Sequence, residues 1–429
     1  MAEGTSFGDQ AAVRPIRGHA RVLLSSLAGT SIEYYDFFIY ATAAALVFGP
    51  LFFPAESPAA QTLLAFMSFG IAFVARPIGA IAFGHFGDRV GRKSTLVASL
   101  LLMGGCTLAI AFLPTYAQIG WIAPALLCLM RFGQGFGLGG EWGGAALMAI
   151  ENAPKGWEAR YGAAPQLGVA VGFCAATGIF LLLGGALSDA DFLRWGWRIP
   201  FLASAALVIL GLWVRLKIGE TPEFRAAIEK EPPHAVPVAA LFARHWGLVL
   251  AGSAGVVSTY ALFYLATAYA LAEGTAGHGY PRAAFLAMQL FANLFYAAGI
   301  VLASIHADRR GAARTIKLGS LATAILGLVF SPMLGAGLWA TGALLCAAMF
   351  TLSFNNAPLG RWLSQLYPVR VRYSGVSFAF NAGGIVGGAI TPIAAQAMSA
   401  EGLAAYTGLL LSVAGMLTFA GVKLARPSA

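Results

Sequence analysis

One short charged segment, which lies between two long apolar runs, reads Gly84-His-Phe-Gly-Asp88-Arg89-Val-Gly91-Arg92-Lys93. A degenerate copy follows 220 residues later, again between two apolar runs, and reads Ser304-Ile-His-Ala-Asp308-Arg309-Arg310-Gly311. The offset is about half of the 429-residue chain. A segment that recurs at the same place in each half predicts that the two halves share one architecture.

The composition around these segments is that of a membrane protein. Only 10% of the residues are charged and 59% are hydrophobic, so a water-exposed surface cannot be built. The apolar runs do not alternate with polar residues as the strands of an outer-membrane barrel would, which leaves helices as the spanning elements. The sequence therefore predicts an all-α membrane protein.

Twelve apolar runs are present, and each is long enough to cross a hydrocarbon core of about 30 Å at ~1.5 Å per residue. They cover about 21–48, 60–86, 95–113, 117–150, 162–187, 199–217, 246–272, 282–306, 314–332, 336–360, 373–398 and 402–424. One long polar stretch separates six runs from six. We expect two pseudo-symmetric six-helix bundles, 1–217 and 246–429, joined by a linker at 218–245.

The basic residues predict the orientation. Of the 27 Lys and Arg, 22 lie on the side of the two termini, whereas only Arg194, Arg198 and Arg282 lie on the other side. This asymmetry predicts that the termini and the linker are cytoplasmic, with the first run kept as an uncleaved anchor. Because the basic residues are dispersed, they do not form a nucleic-acid surface. The four cysteines have no metal-ligand spacing and are expected to be packing residues.

Away from their ends, the apolar runs contain five Asp, Glu, Lys or Arg residues, and they are Glu33, Asp36, Arg76, Arg131 and Glu141. A charge in the membrane costs roughly 2.5–3.5 kcal/mol on insertion scales, so each is a functional hypothesis. Three carboxylates face two guanidinium groups, and a buried carboxylate that lacks a partner takes up a proton. We expect Glu33 or Asp36 to carry a transported proton, with Glu141 as a further candidate, and Arg76 to bind an anion. The alternative is a static buried ion pair.

Several segments resemble the major facilitator superfamily, the charged segment 88–93 above all. Others are similar to its metabolite:proton symporter family, and they are Ile32–Phe37, Ala75–Gly79, Arg131–Trp142, Pro165–Val169, Trp195–Phe201 and Gly219–Phe224. The chain departs from that pattern at Gln365, where a glutamate is expected, and at Arg361, where the residue is usually small. The resemblance implies proton-coupled symport by alternating access, in a bacterial inner membrane.

The resemblance also implies a cytoplasmic gate, in which Asp88 caps a helix of the opposite half and basic residues hold acidic helix ends. The gate candidates are Gly84, Asp88, Arg89, Gly91, Arg92, Glu151, Arg160, Asp308 and Arg309. We expect the charged segment to be a loop. A purely topogenic basic loop would explain the arginines, but not Asp88 or Gly91.

Polar and aromatic residues in both halves are expected to line a substrate site between them. The candidates are Arg76, Arg131, Gln134, Gln166, Tyr34, Tyr260, Tyr264, Asn355, Asn356 and Asn381. Each polar residue in the second half could instead make an interhelical hydrogen bond. Glycines at every fourth position of the fourth run, Gly135, Gly139 and Gly143, predict close helix packing.

The favoured function is proton-coupled symport of a small organic anion, a carboxylate metabolite. A symporter of a zwitterionic osmolyte such as a betaine is the alternative, and a membrane enzyme or sensor is a remote one. No nucleophile, nucleotide-binding or metal pattern is present, so we expect no enzyme activity, cofactor or metal. The expected partners are the anion, protons and the lipid bilayer, without nucleic acid or an obligate protein partner.

Overall fold

The computed structural model describes residues 15–55, 57–90, 92–139, 146–147, 149–151, 153–217, 237–368 and 371–425. Twelve main helices run through this part of the chain. They are α1 Pro15–Ala43, α2 Pro58–Val90, α3 Arg92–Ala111, α4 Ile122–Leu138, α5 Glu158–Ala186, α6 Arg198–Lys217, α7 Pro237–Tyr264, α8 Arg282–Arg310, α9 Ala312–Gly335, α10 Leu338–Asn356, α11 Arg372–Gly384 and α12 Gly408–Leu424. Their positions follow the twelve predicted apolar runs.

Nine of the helical stretches that the structure describes are long and apolar enough to cross a membrane. A tenth span results if Asp189–Gly196 and Arg198–Trp213, which are bent by 43°, count as one. Two shorter apolar helices, Val97–Ala111 and Ile122–Leu138, stand at the third and fourth predicted runs. The prediction of an all-α membrane protein is therefore confirmed.

Three spans continue beyond the main helix through π-helical turns. α1 passes into Ala44–Phe48, α7 into Leu265–Tyr269, and α11 into Ile385–Ile390. The turns that follow α1 and α7 occupy equivalent places in the two halves and contact each other. π-Helical turns are frequent at functional sites, and nothing in the apolar pattern predicts them.

The helices pair in the same way in both halves. In the first half α1 packs on α5, α2 on α4, and α3 on α6, while in the second half α7 packs on α11, α8 on α10, and α9 on α12. Between the halves, α5 lies against α8 and α2 lies against α11 with its continuation. Two pseudo-symmetric six-helix bundles follow from this pairing. The bundle boundaries stay a prediction, because 218–236 lies outside the described residues.

The expectation that the charged segment forms a loop is wrong. Residues 84–90 are the last turns of α2, and α3 begins at Arg92. The copy at 304–310 is likewise the end of α8, which stops at Gly311 with φ +95°, a conformation that L side chains rarely adopt. In this second copy Gly311 therefore terminates the helix, and Asp308, Arg309 and Arg310 lie in its last turn.

Close contact between α2 and α4 places both membrane arginines. A Cβ on Gly139 would lie 2.0 Å from the carbonyl oxygen of Arg76, and one on Gly135 would lie 2.2 Å from that of Ala72. No side chain fits at either position, so the two backbones approach as the glycine spacing predicts. Gly143 lies outside the described residues. Arg76 on α2 and Arg131 on α4 are thereby held close to one another.

Candidate functional site

Arg76 is buried between the two halves, and only one of its three guanidinium nitrogen atoms makes a described hydrogen bond. Its side chain is 2% exposed, and its Cζ lies 4.4 Å from the ring centroid of Phe37 and 4.7 Å from that of Phe73. Nη1 donates a hydrogen bond to the hydroxyl of Tyr260 in the other half, at 3.3 Å. Nε and Nη2 have no hydrogen-bond partner among the described residues. A buried charge in this condition needs an acceptor for these two nitrogen atoms, which the described hydrogen bonds do not supply.

Arg131 lies in a separate aromatic cage and is fully buried. Its Cζ is 4.2 Å from the ring centroid of Phe37, 4.1 Å from that of Tyr40, and 4.7 Å from that of Phe69. Nη1 donates to Oε1 of Gln134 at 3.0 Å, and Nε faces the carbonyl oxygen of Phe69 at 3.5 Å. Phe37 thus contacts both guanidinium groups. The two arginines share a neighbouring ring but not their hydrogen-bond partners.

Polar contacts lead from Arg131 towards Asp36. Gln134, which accepts from Arg131, donates through Nε2 to the hydroxyl of Thr107 on α3 at 2.8 Å. Thr107 lies next to Asp36, and Ser204 on α6 donates to Oδ1 of Asp36 at 2.5 Å. Asp36 is 1% exposed, and its Oδ2 has no hydrogen-bond partner in the described part of the chain. A buried carboxylate with one oxygen unsatisfied is a chemically reasonable place for a proton.

Of the other two predicted proton carriers, the structure describes Glu33 and leaves Glu141 outside the described residues. Glu33 lies one turn before Asp36 on α1 and is 6% exposed. The predicted excess of one buried carboxylate therefore stays a prediction.

A small cavity of about 30 Å³ lies between the halves. Its lining residues come from both halves and are largely aromatic; they are Tyr34, Phe38, Val169, Thr259, Tyr260, Phe263, Tyr264, Tyr296, Leu352, Asn356 and Phe380. Four of the predicted substrate residues, Tyr34, Tyr260, Tyr264 and Asn356, are among them. Arg76 reaches this wall through Tyr260. The cavity is too small for an organic acid, so the site is closed in this structure.

Other predicted substrate residues make different contacts. Asn355 donates to the hydroxyl of Thr323 on α9, at 2.9 Å, and does not line the cavity. Asn381 donates to the carbonyl oxygen of Gly139 at 3.0 Å, and so joins α11 to α4. Both contacts are the interhelical hydrogen bonds that were the alternative interpretation. Gln166 is buried on α5 and makes no hydrogen bond within the described ranges.

A cluster at the end of the bundle where α8 meets α9 joins the two halves, and we call it the clasp. Its members are Glu158, Arg160, Asp308 and Arg361. Asp308, whose side chain is 1% exposed, accepts hydrogen bonds from the backbone N–H groups of Ala159 and Arg160, at 2.8 and 3.2 Å. It also pairs with Arg160 Nε and Arg361 Nη1, both at 2.7 Å, and Arg361 reaches Glu158 at 3.4 Å. Asp308 therefore caps α5 of the opposite half.

The remaining gate candidates fall into two groups. Glu151 pairs across the halves with Arg372 at 3.4 Å, and Arg309 is exposed with no ion pair among the described residues. Gly91 lies outside the described residues. Gly84, Asp88, Arg89 and Arg92 lie within α2 and α3, but their side chains are outside the description. The structure thus describes the second copy of the gate segment, at Asp308.

The opposite ends of α5 and α8 are joined by a different contact. Arg282, at the start of α8, donates to Asp189 at 2.9 Å and lies 4.3 Å from the ring centroid of Phe192. The side chain of Asp189 is 87% exposed. Contacts therefore link the two halves at both ends of this helix pair.

Sequence reasoning missed the residues that complete these clusters. Thr107 and Ser204 reach Asp36 from α3 and α6, and a single hydroxyl in an apolar run gives no signal of its partner. Arg361 did give a signal, because it departs from the family pattern and aligns with Glu141 at the repeat offset of 220. The charged contacts of the clasp could have been suspected from that departure.

Two six-helix halves with a buried polar site between them define a secondary transporter of the major facilitator type. The comparison with known families agrees, because residues 22–236 match the family described as sugar (and other) transporter. The chain belongs to that family, within the major facilitator superfamily. It is a multi-pass membrane transporter and not an enzyme.

Relatives cover nearly the whole chain. The inner membrane metabolite transport protein YhjE of Escherichia coli (strain K12) is 44% identical over 98% of this chain and 97% of its own length. The shikimate transporter of the same organism is 38% identical over 88% of this chain and 87% of its own. Among solved structures, the proton:xylose symporter XylE of E. coli matches with a TM-score of 0.73 at 16% identity, covering 93% of this chain and 94% of that one. That likeness shows the fold alone.

Proposed function

We propose that this protein is a proton-coupled symporter that imports a small organic anion into a bacterial cytoplasm by alternating access. The observation that supports this proposal most directly concerns Arg76. Its guanidinium group is buried next to the cavity between the halves, and its Nε and Nη2 have no hydrogen-bond partner among the described residues. An incoming carboxylate would satisfy both nitrogen atoms. The name of the shikimate transporter, which is 38% identical, supports an organic acid as the substrate.

The proton in this proposal binds Asp36. Oδ2 of this carboxylate lacks a partner, and hydrogen bonds through Thr107 and Gln134 extend from its neighbourhood to Arg131. Protonation removes a buried negative charge and lets the site reorient with its anion. The clasp faces the cytoplasm in this scheme, as the distribution of basic residues predicts.

A betaine symporter is the second candidate, and the cavity lining favours it. Seven of the eleven lining residues are aromatic, and Tyr260 and Tyr264 lie parallel with their ring centroids 6.3 Å apart. Aromatic faces bind quaternary ammonium groups. In such a substrate Arg76 would meet only the carboxylate end.

Uptake by proteoliposomes with an entrapped pH dye distinguishes the two. We expect organic acids, added outside under an inward proton gradient, to acidify the lumen, whereas glycine betaine does not. Arg76→Gln should abolish this signal, and Arg314→Gln, which removes an exposed arginine at the start of α9, should retain it. Acidification by betaine alone would replace the first candidate with the second, and acidification by neither would refute proton symport of both substrate classes.

A further inference from the structure

We propose that the site binds a single carboxylate, at Arg76, and a neutral hydroxyl of the same substrate, at Thr259. The substrate class is then hydroxylated monocarboxylates, and dicarboxylates are excluded. This inference rests on the proposed function and narrows its substrate.

The free atoms of Arg76 form one edge of the guanidinium group. Nη1 is engaged by Tyr260, whereas Nε and Nη2 are the two nitrogen atoms without a partner in the described part of the chain. This is the side edge of the arginine fork, which binds the two oxygens of a carboxylate through parallel hydrogen bonds. Arg76 is therefore prepared for one carboxylate group.

Arg131 does not offer a second such edge. Its Nε faces the carbonyl oxygen of Phe69 and its Nη1 is bound to Gln134, so Nη2 is its single nitrogen atom without a partner among the described residues. Phe37 lies against Arg131 and Arg76, with its ring centroid 4.2 and 4.4 Å from the two Cζ atoms. Arg131 belongs to the hydrogen-bond network that leads towards Asp36, whereas Arg76 is bonded to Tyr260, which lines the cavity.

Away from the ends of the apolar runs, Arg76 and Arg131 are the only Lys or Arg, so no third basic residue in the middle of a run could serve a dicarboxylate. A second carboxylate in the cavity would therefore face aromatic rings and neutral hydroxyl groups. An unpaired buried charge costs far more than a neutral polar group does. The site consequently binds substrates with one negative charge more tightly than substrates with two.

Thr259 supplies the neutral contact. It lines the cavity on α7, next to Tyr260, and its hydroxyl has no hydrogen-bond partner among the residues described. Ser253 on the same helix and Thr267 just beyond it each donate to the carbonyl oxygen four residues earlier, at 2.7 Å. Thr259 lacks this ordinary bond, although it is only 6% exposed. An unsatisfied buried hydroxyl in the lining of the cavity matches a hydroxyl group of the ligand.

Three acids on one scaffold test the proposal, namely cyclohexanecarboxylate, 3-hydroxycyclohexanecarboxylate and cyclohexane-1,3-dicarboxylate. Binding is measured at pH 7 by calorimetry on the whole protein in lipid nanodiscs. We expect the hydroxy acid to bind about 5-fold more tightly than the parent acid, as one added hydrogen bond allows. The dicarboxylate should bind about 100-fold more weakly than the parent acid. A dicarboxylate that binds as tightly as the parent acid would overturn the proposal.

Two sets of variants assign these effects to residues. Thr259→Val keeps the shape and should bring the dissociation constants of the hydroxy acid and the parent acid together. Arg76→Lys should weaken binding of both by about 100-fold, and Arg131→Lys by less than about 5-fold. Equal losses in the two lysine variants, in protein with unchanged helix content and unchanged size-exclusion profile, would make Arg131 a substrate ligand and refute the assignment.

The proposal and the proposed function fail in different ways. If the dicarboxylate binds tightly and its uptake acidifies proteoliposomes, organic-anion symport stands and the single-carboxylate site is wrong. If none of the three acids binds while glycine betaine does, organic-anion symport itself is wrong.

Discussion

Asp308→Asn tests whether the clasp holds the two halves together. The wild-type side chain is 1% exposed and accepts four hydrogen bonds, two from the N-terminus of α5 and one from each of Arg160 and Arg361. Asparagine keeps one acceptor oxygen but loses the charge, so both arginines lose an ion pair. Breaking a fully buried ion pair costs about 3–5 kcal/mol.

The expected cost here is smaller because solvent screens both arginines. The side chain of Arg160 is 30% exposed and that of Arg361 is 17% exposed. We therefore expect Asp308→Asn to destabilise the closed form of this end by about 2 kcal/mol. This corresponds to a shift of about 30-fold in the equilibrium towards the open form. Arg361 keeps its contact with Glu158, so the variant should fold and still bind substrate.

Spin labels at Lys155 and Arg314 report the opening. These exposed residues lie near the clasp in opposite halves, and the labels are attached in a variant lacking Cys106, Cys128, Cys174 and Cys346. Pulsed dipolar spectroscopy should show a longer distance gaining population in Asp308→Asn. Arg309→Gln, which removes an exposed charge one residue away, should leave the distribution unchanged. An Asp308→Asn distribution identical to the wild type would refute the clasp.

The remaining predictions concern the proton site on α1. Asp36→Asn mimics the protonated carboxylate, so it should lose accumulation driven by a pH gradient yet keep substrate exchange, because exchange needs no net proton movement. Glu33→Gln should show this pattern instead if Glu33 carries the proton, and comparing counterflow with gradient-driven uptake in both variants separates the two. Gradient-driven uptake that survives in both single variants and in the double variant would move the proton site to Glu141.

The sequence was most informative where a physical rule acts over a long stretch. Apolar runs of membrane-spanning length located all twelve helices, since every backbone group must be paired inside the lipid. The repeat of the charged segment located Asp308, and the glycine spacing on α4 predicted its contact with α2. In each case the constraint is local in the chain or repeats within it.

The hydrogen-bond partners of the buried polar groups could not be predicted from the sequence, because they lie far apart along the chain. Ser204 reaches Asp36 across 168 residues, and Tyr260 reaches Arg76 across 184. A hydroxyl in an apolar helix usually bonds its own backbone, so Thr259 carries no mark in the sequence that distinguishes it from Thr267. Only the packing of α7 against its neighbours shows which hydroxyl is left unsatisfied. The prediction of a loop at 84–93 was wrong for a related reason, because a charged helix end and a charged loop have the same sequence pattern.

The two ends of the α5–α8 pair are closed by contacts of unequal strength, and this difference favours opening at one end over the other. At one end Asp308 is buried, accepts hydrogen bonds from backbone N–H groups of α5 and pairs with two arginines. At the other end Arg282 meets an Asp189 that is 87% exposed, and such exposed pairs contribute about 0–1 kcal/mol. Separating the two halves at the Arg282 end therefore costs less interaction free energy than separating them at the clasp. In the proposed orientation the Arg282 end faces the periplasm, where a symporter collects its substrate and proton. Labels placed at the two ends of the empty protein should show the broader distance distribution at the Arg282 end, and a broader distribution at the clasp would contradict this assignment of the weaker closure.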